Sequence, residues 1–341
     1  MRGRELFEPR VALWTADAGL KSPGRSGYML PVPGDSAYRV SVIIPTYNRV
    51  PYLGDAIRSV LAQRAGGVEI IVVDDGSTDG TEELVRAFHA GVMFLRVPHR
   101  GQPAATRNRG LEAAGGDFIA LLDSDDLFLP GKLTVQCAAL AAHPDVAFVY
   151  SNGYFFREDP DAPISRVLDG LPTPSGDGFA DLLRGNFLVP AVTLVRRSCL
   201  DAVGAFDEAL TLRGVEDYDL WLRLAARFPI LYVPGDVAAI RRHADNLSKN
   251  PATIRTGALQ VLEKMRAVAP DLVQRHFVEW HEGAARCHGA ILRQRLRERR
   301  IGAACPHAVR ALMHAVRTPG GGLPALLAWY RRRAVRHGAQ P

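Results

Sequence analysis

Cysteine is scarce in this chain. Its four cysteines, Cys137, Cys199, Cys287 and Cys305, are spread over 341 residues without a C-x-x-C pair. That excludes a disulfide-stapled scaffold and fits a reducing compartment. Long apolar runs are also missing: none approaches the roughly 18 residues needed to cross a bilayer. The N-terminus carries Glu5, Glu8 and Asp17 where a secretory signal would need an unbroken apolar core. The expectation is therefore a cytoplasmic protein. There is no G-x-x-x-x-G-K-[ST] phosphate loop, and no G-x-G-x-x-G follows the first apolar run. Any nucleotide must then be held by acidic residues, a metal and arginines. No internal repeat of a solenoid or propeller is found.

What is present is globular. Hydrophobic residues make up 47% and charged residues 23%, which excludes wholesale disorder. The length suggests two domains, or one large domain with an appendage. The net charge of +6 is unevenly spread. From Ala290 onward there are eleven arginines and one acid, Glu298, so a mildly acidic body carries a strongly basic end. Such an end suits a solvated helix face, an anionic membrane surface or a nucleic acid.

Residues 1–37 lack periodicity and contain Pro23, Pro31 and Pro33, which reads as a flexible leader. Beyond it, short β-branched runs at 40–44, 69–73, 92–97, 118–122 and 146–150 predict strands. Helical spacing lies between them, at 53–61, 82–89 and 104–114, with another helix opening at Pro130. Ser77, Thr78 or Asp79 could cap the helix at 82–89. Alternation of this kind predicts an α/β fold with a mostly parallel sheet flanked by helices, ligands binding beyond the carboxyl ends of the strands. The polar clusters stand at those ends: Thr46-Tyr47-Asn48, Asp74-Asp75 and Asp123-Ser124-Asp125-Asp126. The second half predicts strands at 191–195, 230–233 and 237–240 and a helix at 218–228. From Pro251 the chain reads as helical, with a last amphipathic segment at 323–336.

Asp123 and Asp125 are separated by one residue, so in an extended segment both carboxylates face one ligand and suit a hard divalent cation such as Mn²⁺ or Mg²⁺. They could equally form a turn. Asp74-Asp75-Gly76-Ser77-Thr78-Asp79-Gly80 can accept hydrogen bonds from a base or ribose, or be an ordinary turn. Arg107-Asn108-Arg109 supplies positive charge or is an exposed helical turn. Glu216-Asp217 opens an apolar helix, either as a carboxylate base or as acids favoured by the helix dipole. In Arg241-Arg242-His243 an arginine could grip a diphosphate and the imidazole could ligate a metal.

Together these segments resemble family 2 inverting glycosyltransferases, nucleotide-sugar-dependent enzymes of the GT-A fold. The resemblance runs from about residue 40 to 248. It consists of Val-Ile-Ile-Pro-Thr-Tyr-Asn-Arg (42–49), Val-Val-Asp-Asp-Gly-Ser-Thr-Asp-Gly-Thr (72–81), Ala-Thr-Arg-Asn-Arg-Gly (105–110), Leu-Leu-Asp-Ser-Asp-Asp (121–126), Glu-Asp-Tyr-Asp-Leu-Trp (216–221), and Arg242-His243 with Asn246-Leu247-Ser248. It implies a Rossmann-like GT-A domain at 38–250, with a nucleotide-binding half (38–150) and an acceptor half (151–250), followed by a basic helical region (251–341).

The resemblance further implies that Pro45, Tyr47 and Asp75 line a nucleobase pocket with Asp74 close by, and that Asn48, Arg107, Asp123 and Ser124 complete the donor site. Asp125 would ligate Mn²⁺ or Mg²⁺, with His243 reaching the metal or diphosphate. Asp217 would be the base, with Glu216 beside it. An aspartate of ordinary pKa is already ionised at neutral pH, so it needs no upward shift to act. The Gln-x-x-Arg-Trp segment of processive synthases is missing, which implies transfer of a single sugar.

The acceptor would be a glycan, lipid-linked or polysaccharide precursor, shaped by the loop at 158–187 and the C-terminal helices. The segment 323–336 would rest on an anionic membrane surface. A nucleotidyltransferase would start with a Gly-rich, Lys-containing loop, which Pro45-Thr46-Tyr47-Asn48-Arg49 does not match. A non-catalytic nucleic-acid binder is disfavoured because the acidic strand ends would repel phosphates.

Overall fold

The β-branched runs form strands whose alternate residues fall into two cores. Val42, Ile44, Ile70 and Val72 face one side of the sheet, and Ile43, Ile71 and Val73 the other, all essentially inaccessible to solvent. Each such side chain stabilises the fold by about 1.5–3 kcal/mol. The structure is a computed structural model describing residues 38–63, 65–88, 91–209, 214–243, 251–299 and 301–317. The expected leader, the Asn246-Leu247-Ser248 segment and the amphipathic segment 323–336 lie outside the described residues.

The first half alternates as its sequence predicts: β1 (Val40–Thr46), α1 (Val50–Leu61), β2 (Val68–Asp74), α2 (Thr81–Arg86), β3 (Val92–Arg96), α3 (Pro103–Ala113) and β4 (Phe118–Leu121). These four strands pair in parallel in the order β3-β2-β1-β4. β1 is followed by β2 on one side, while β4 lies on its other side. The direction of winding reverses at β1/β4, and a crevice opens beyond their carboxyl ends. Helix α2 begins at Gly80, which has φ +82° and no side-chain cap. The proposed caps are used elsewhere: Asp79 accepts from the Thr81 hydroxyl and the Val50 N–H, and Ser77 serves Asn48.

The second half adds antiparallel strands to this parallel core. It contains β5 (Leu127–Phe128), α4 (Lys132–Ala142), β6 (Phe148–Phe156), β7 (Ser165–Arg166), α5 (Phe179–Arg184), β8 (Thr193–Arg196), α6 (Arg197–Val203), α7 (Glu216–Ala225) and β9 (Ile230–Arg241). β8 runs antiparallel to both β4 and β6, β9 runs parallel to β6, and β5 antiparallel to β9. β9 is one strand where two are predicted. Pro234-Gly235 reads as a break, but the ladder to β6 shifts register there, from Tyr150↔Tyr232 to Asn152↔Asp236, and continues. A proline without an N–H and a glycine at φ +122° suit such an irregularity.

Among the described residues four helices follow: α8 (Pro251–Val268), α9 (Pro270–Arg275), α10 (Phe277–Arg297) and α11 (Ile301–Val316). Lys264 joins α8 to Asp219 of α7 and to Asp207, at 2.6 and 2.7 Å. Arg184 of α5 pairs with Glu279 and Glu282 of α10. Gly283 allows α10 to lie directly on α5: a Cβ there would stand 2.0 Å from the Leu183 carbonyl oxygen. Side chains absent from the sequence-level reading thus tie the C-terminal helices to the sheet-bearing part.

Candidate active site

A cavity of about 490 Å³ opens at the carboxyl ends of β1 and β4 and extends towards the head of α7. On the β1/β2 side, the Tyr47 ring stacks on His99 with centroids 4.1 Å apart. His99 Nδ1 lies 2.8 Å from the Asp75 carbonyl oxygen and 3.0 Å from its carboxylate. Asp75 also accepts from the Arg100 and Gly101 amides, at 2.9 and 2.8 Å. Pro45, Tyr47, Asp75 and His99 all line the cavity, so a flat aromatic pair stands beside a fixed carboxylate.

Two expected donor residues stand behind this wall instead of lining it. Asp74 is fully buried and accepts from the Ser77 N–H at 3.0 Å, closing the turn after β2. Asn48, at φ +51°, receives the Thr78 N–H on Oδ1 and gives its own N–H to the Ser77 hydroxyl, both at 2.8 Å. It latches the β1 loop to the β2 loop. Both residues are short, polar and able to satisfy nearby backbone groups, which is what tight loops select.

Beyond β4 the chain turns rather than extends, the Asp126 N–H donating to the Asp123 carbonyl at 3.0 Å. Asp123 and Asp125 therefore take different partners. Arg107 of α3 donates to Asp123 at 2.7 Å and, through its other terminal nitrogen, to Glu216. Burial opposes the charge on Arg107, yet these two carboxylates outweigh it and hold its pKa above the ordinary guanidinium value. Arg107 is thus a buried strut between the β4 turn and α7 more than a free grip for phosphate. Asp125 Oδ2 instead lies 2.7 Å from His243 Nε2. Ser124 lines the cavity between them.

Asp126, beside this turn, is held by the Arg241 N–H at 2.9 Å, and burial together with Asp125 and Asp123 pushes its carboxyl well above the usual range. Arg241 donates to the Asp125 carbonyl and packs over Tyr52 and Phe156. It holds the turn in place while itself lining the cavity.

At the head of α7 the two acids diverge. Glu216 is occupied: besides Arg107, it accepts the Gly214 and Val215 amides at 2.8 and 3.0 Å. Asp217 accepts its neighbour's Tyr218 N–H at 2.7 Å, while its other oxygen receives only a long 3.4 Å contact from Asn186 at the cavity wall. Burial, then the charge of Glu216, pushes the Asp217 carboxyl up to about 7, with Arg107 opposing. The burial that dominates this shift is a product of tertiary packing, and local spacing could not reveal it.

Asn186, His99 and Arg242 complete the lining. Arg242 lays its guanidinium 4.0 Å over Phe155 and is exposed at the cavity mouth. His99 and Asn186 went unnoticed in the sequence because neither falls in a motif, each reaching the site through tertiary contact.

The donor set can hold a divalent cation. Asp125 and His243, hydrogen-bonded to each other, offer a carboxylate oxygen and an imidazole nitrogen, both groups that bind divalent cations. Among the described residues no group of three or more His, Cys, Asp or Glu converges on a metal position.

Sequence comparison agrees with the strand-end pattern. The signature of glycosyl transferase family 2 matches residues 41–204. The putative glycosyltransferase EpsE of Bacillus subtilis is 30% identical over 193 residues, covering 55% of this chain and 67% of that protein. The chain belongs to glycosyl transferase family 2.

Another relative in this family is the succinoglycan biosynthesis protein ExoU of Rhizobium meliloti, 34% identical over 236 residues, covering 63% of this chain and 65% of its own. The chain spans about a third of the length of several Rickettsia relatives, for example 32% of a glycosyltransferase from Rickettsia bellii that is 28% identical. Among solved structures, residues 1–349 of S. aureus TarS in complex with UDP-GlcNAc align with a TM-score of 0.58 and 17% identity, over 86% of this chain and 92% of that one. The mannosyltransferase PcManGT from Pyrobaculum calidifontis, in complex with GDP-Man and Mn²⁺, aligns at 0.56 and 22%, over 89% and 83%. This family 2 chain therefore has the GT-A fold, with additional C-terminal helices.

Proposed function

We propose that this protein is a metal-dependent inverting glycosyltransferase that moves one sugar from a nucleotide-sugar donor to a hydroxyl of a glycan, lipid-linked or polysaccharide-precursor acceptor. The observation that supports it best is the contrast at the head of α7. Glu216 is locked by Arg107 and two amides, whereas Asp217 keeps one carboxylate oxygen towards the cavity. The same Arg107 reaches Asp123, so the base and the donor end are held in one rigid frame.

In this reading the nucleobase lies against the Tyr47–His99 pair, with Asp75 accepting from its N–H. Asp123 and Ser124 face the ribose, and Arg242 faces the diphosphate. Asp125 and His243 would hold Mn²⁺ or Mg²⁺, which offsets the negative charge of the leaving group. Asp217 takes the proton of the acceptor hydroxyl as that oxygen bonds to the anomeric carbon from the face opposite the diphosphate. The carbon–oxygen bond to the diphosphate breaks and its electron pair leaves with the phosphate oxygen, which inverts the configuration.

UDP is the first carrier to test, since TarS is seen with UDP-GlcNAc, and GDP the second, since PcManGT is seen with GDP-Man. Similarity to ExoU supports an acceptor in polysaccharide biosynthesis. All four cysteines are free thiols, which supports a cytoplasmic setting. Among the described residues no helix is long and apolar enough to cross a membrane.

The test is Asp217→Asn assayed with saturating donor. Donor binding measured by calorimetry should stay near wild type, while turnover falls by about 10²–10⁴-fold, the usual contribution of a positioned base. Near-wild-type turnover would remove Asp217 from this role.

A further inference from the structure

The last described helix, α11, presents two unlike faces. Its inner face meets α10 through His307, Ala311 and His314: His314 and His281 bring their Nδ1 atoms to 2.6 Å, and His307 and His288 to 3.0 Å. Its outer face holds Val309, Leu312 and Met313, exposed by 58%, 52% and 50%. At spacings of three and four these form one stripe. Cys305, also exposed, is four residues before Val309 and continues it. Arg310 and Arg317, one above the other at a spacing of seven, flank this stripe.

We propose that the outer face of α11 is a docking surface for an anionic lipid leaflet, on which the helix lies flat with the stripe in the acyl boundary and the arginines among phosphate headgroups. Three observations favour this occupant. The stripe is apolar and exposed on a helix about 24 Å long, enough for interfacial but not transverse binding. Second, after Glu298 the chain contains eight arginines and no acidic residue, so this end of the molecule is of one sign. Third, a second copy pairing face to face would bring Arg310 and Arg317 against their own equivalents with no carboxylate on α11 to offset them. The sequence pointed for membrane contact to 323–336, outside the described residues. The exposed stripe places a docking surface earlier, on a helix joined to the protein body through α10.

The experiment uses the full chain and needs no knowledge of the sugar. Cys305 is the exposed one of the four cysteines, so an environment-sensitive fluorophore attached there reports the outer face directly. With phosphatidylglycerol-rich vesicles its emission should shift to the blue and the protein should co-sediment. Phosphatidylcholine vesicles, or added salt, should abolish both effects. Leu312→Glu with Met313→Glu, and separately Arg310→Glu with Arg317→Glu, should each lower partitioning about tenfold or more while leaving the melting temperature unchanged. The proposal is overturned if the wild type ignores anionic vesicles, if both double variants partition like wild type, or if sedimentation velocity shows that they dissolve a dimer instead. Turnover on a soluble acceptor should be the same in all of them, so failure here is separate from failure of the transferase reading.

Discussion

Asp217 shows how much one side chain's role depends on its surroundings. Its carboxyl is raised to about 7 by burial and by Glu216, and a base must be ionised to accept a proton. The fraction in working form therefore grows as pH rises through neutrality. kcat/KM should climb with pH up to a plateau above about 8, whereas an ordinary aspartate would give a flat profile from pH 5 upward. A pH–rate profile with saturating metal checks this. Lys132 is a second buried ion, inaccessible to solvent and donating to Gln136 at 2.6 Å and the Thr193 carbonyl at 3.0 Å. Burial lowers its pKa to about 7. Between that value and the ordinary lysine range the unfolded chain binds more protons than the folded one, so stability rises with pH over this window and is lost as pH falls through about 7. Denaturant midpoints at pH 7 and 9 should show the rise in wild type, and Lys132→Met should remove it.

At the scale of elements, the α10–α11 contact is the most sensitive to acid. His281 and His288 are held down to about 4, first by burial, then by His314 and, for His288, also by His307. His307 and His314 are lowered too, first by burial and then by nearby arginines. The charged groups facing the ladder are Arg266, Arg295, Arg310 and Arg317, all cations. A histidine with a depressed folded pKa contributes stability above about pH 6.5 that is lost as pH falls towards 4. Amide hydrogen exchange, corrected for intrinsic pH dependence, should therefore lose protection in α11 at pH 5 before it does so in β1 or β4. Uniform loss across the molecule would count against it. β9 makes a related point about elements. A Pro-Gly pair is a reliable punctuation mark in sequence, yet pairing to β6 on both sides carried one strand across it.

At the scale of the molecule, the parallel half-sheet presents the Tyr47–His99 wall and the mixed half closes the cavity, while the C-terminal helices brace α5 and α7 from outside. Gly283→Ala tests that brace. The added methyl meets the Leu183 carbonyl at 2.0 Å, so α10 must move away from α5, at a cost of about 1–3 kcal/mol. Thermal unfolding should show the loss, and Arg184, next to Leu183, should lose its ion pairs to Glu279 and Glu282. An unchanged melting temperature would mean that the two helices slide freely.

Periodicity and turn chemistry are local, and they were enough to place β1 to β4 and to bring Asp75, Asp123 and Asp125 to one end of a sheet. Chain order alone could not say which polar residues of those clusters face inward. Asn48 and Asp74 share motifs with Tyr47 and Asp75, yet backbone amides three to thirty residues away claim them. The sequence by itself determined the α/β alternation and the acidic strand ends, because side-chain spacing and backbone preference act within a few residues. Only the tertiary structure decided the mixed second half of the sheet, the Arg107 strut, the raised Asp217 carboxyl and the histidine ladder. Each depends on burial or on contacts between distant parts of the chain, and these follow distance in space rather than along the sequence.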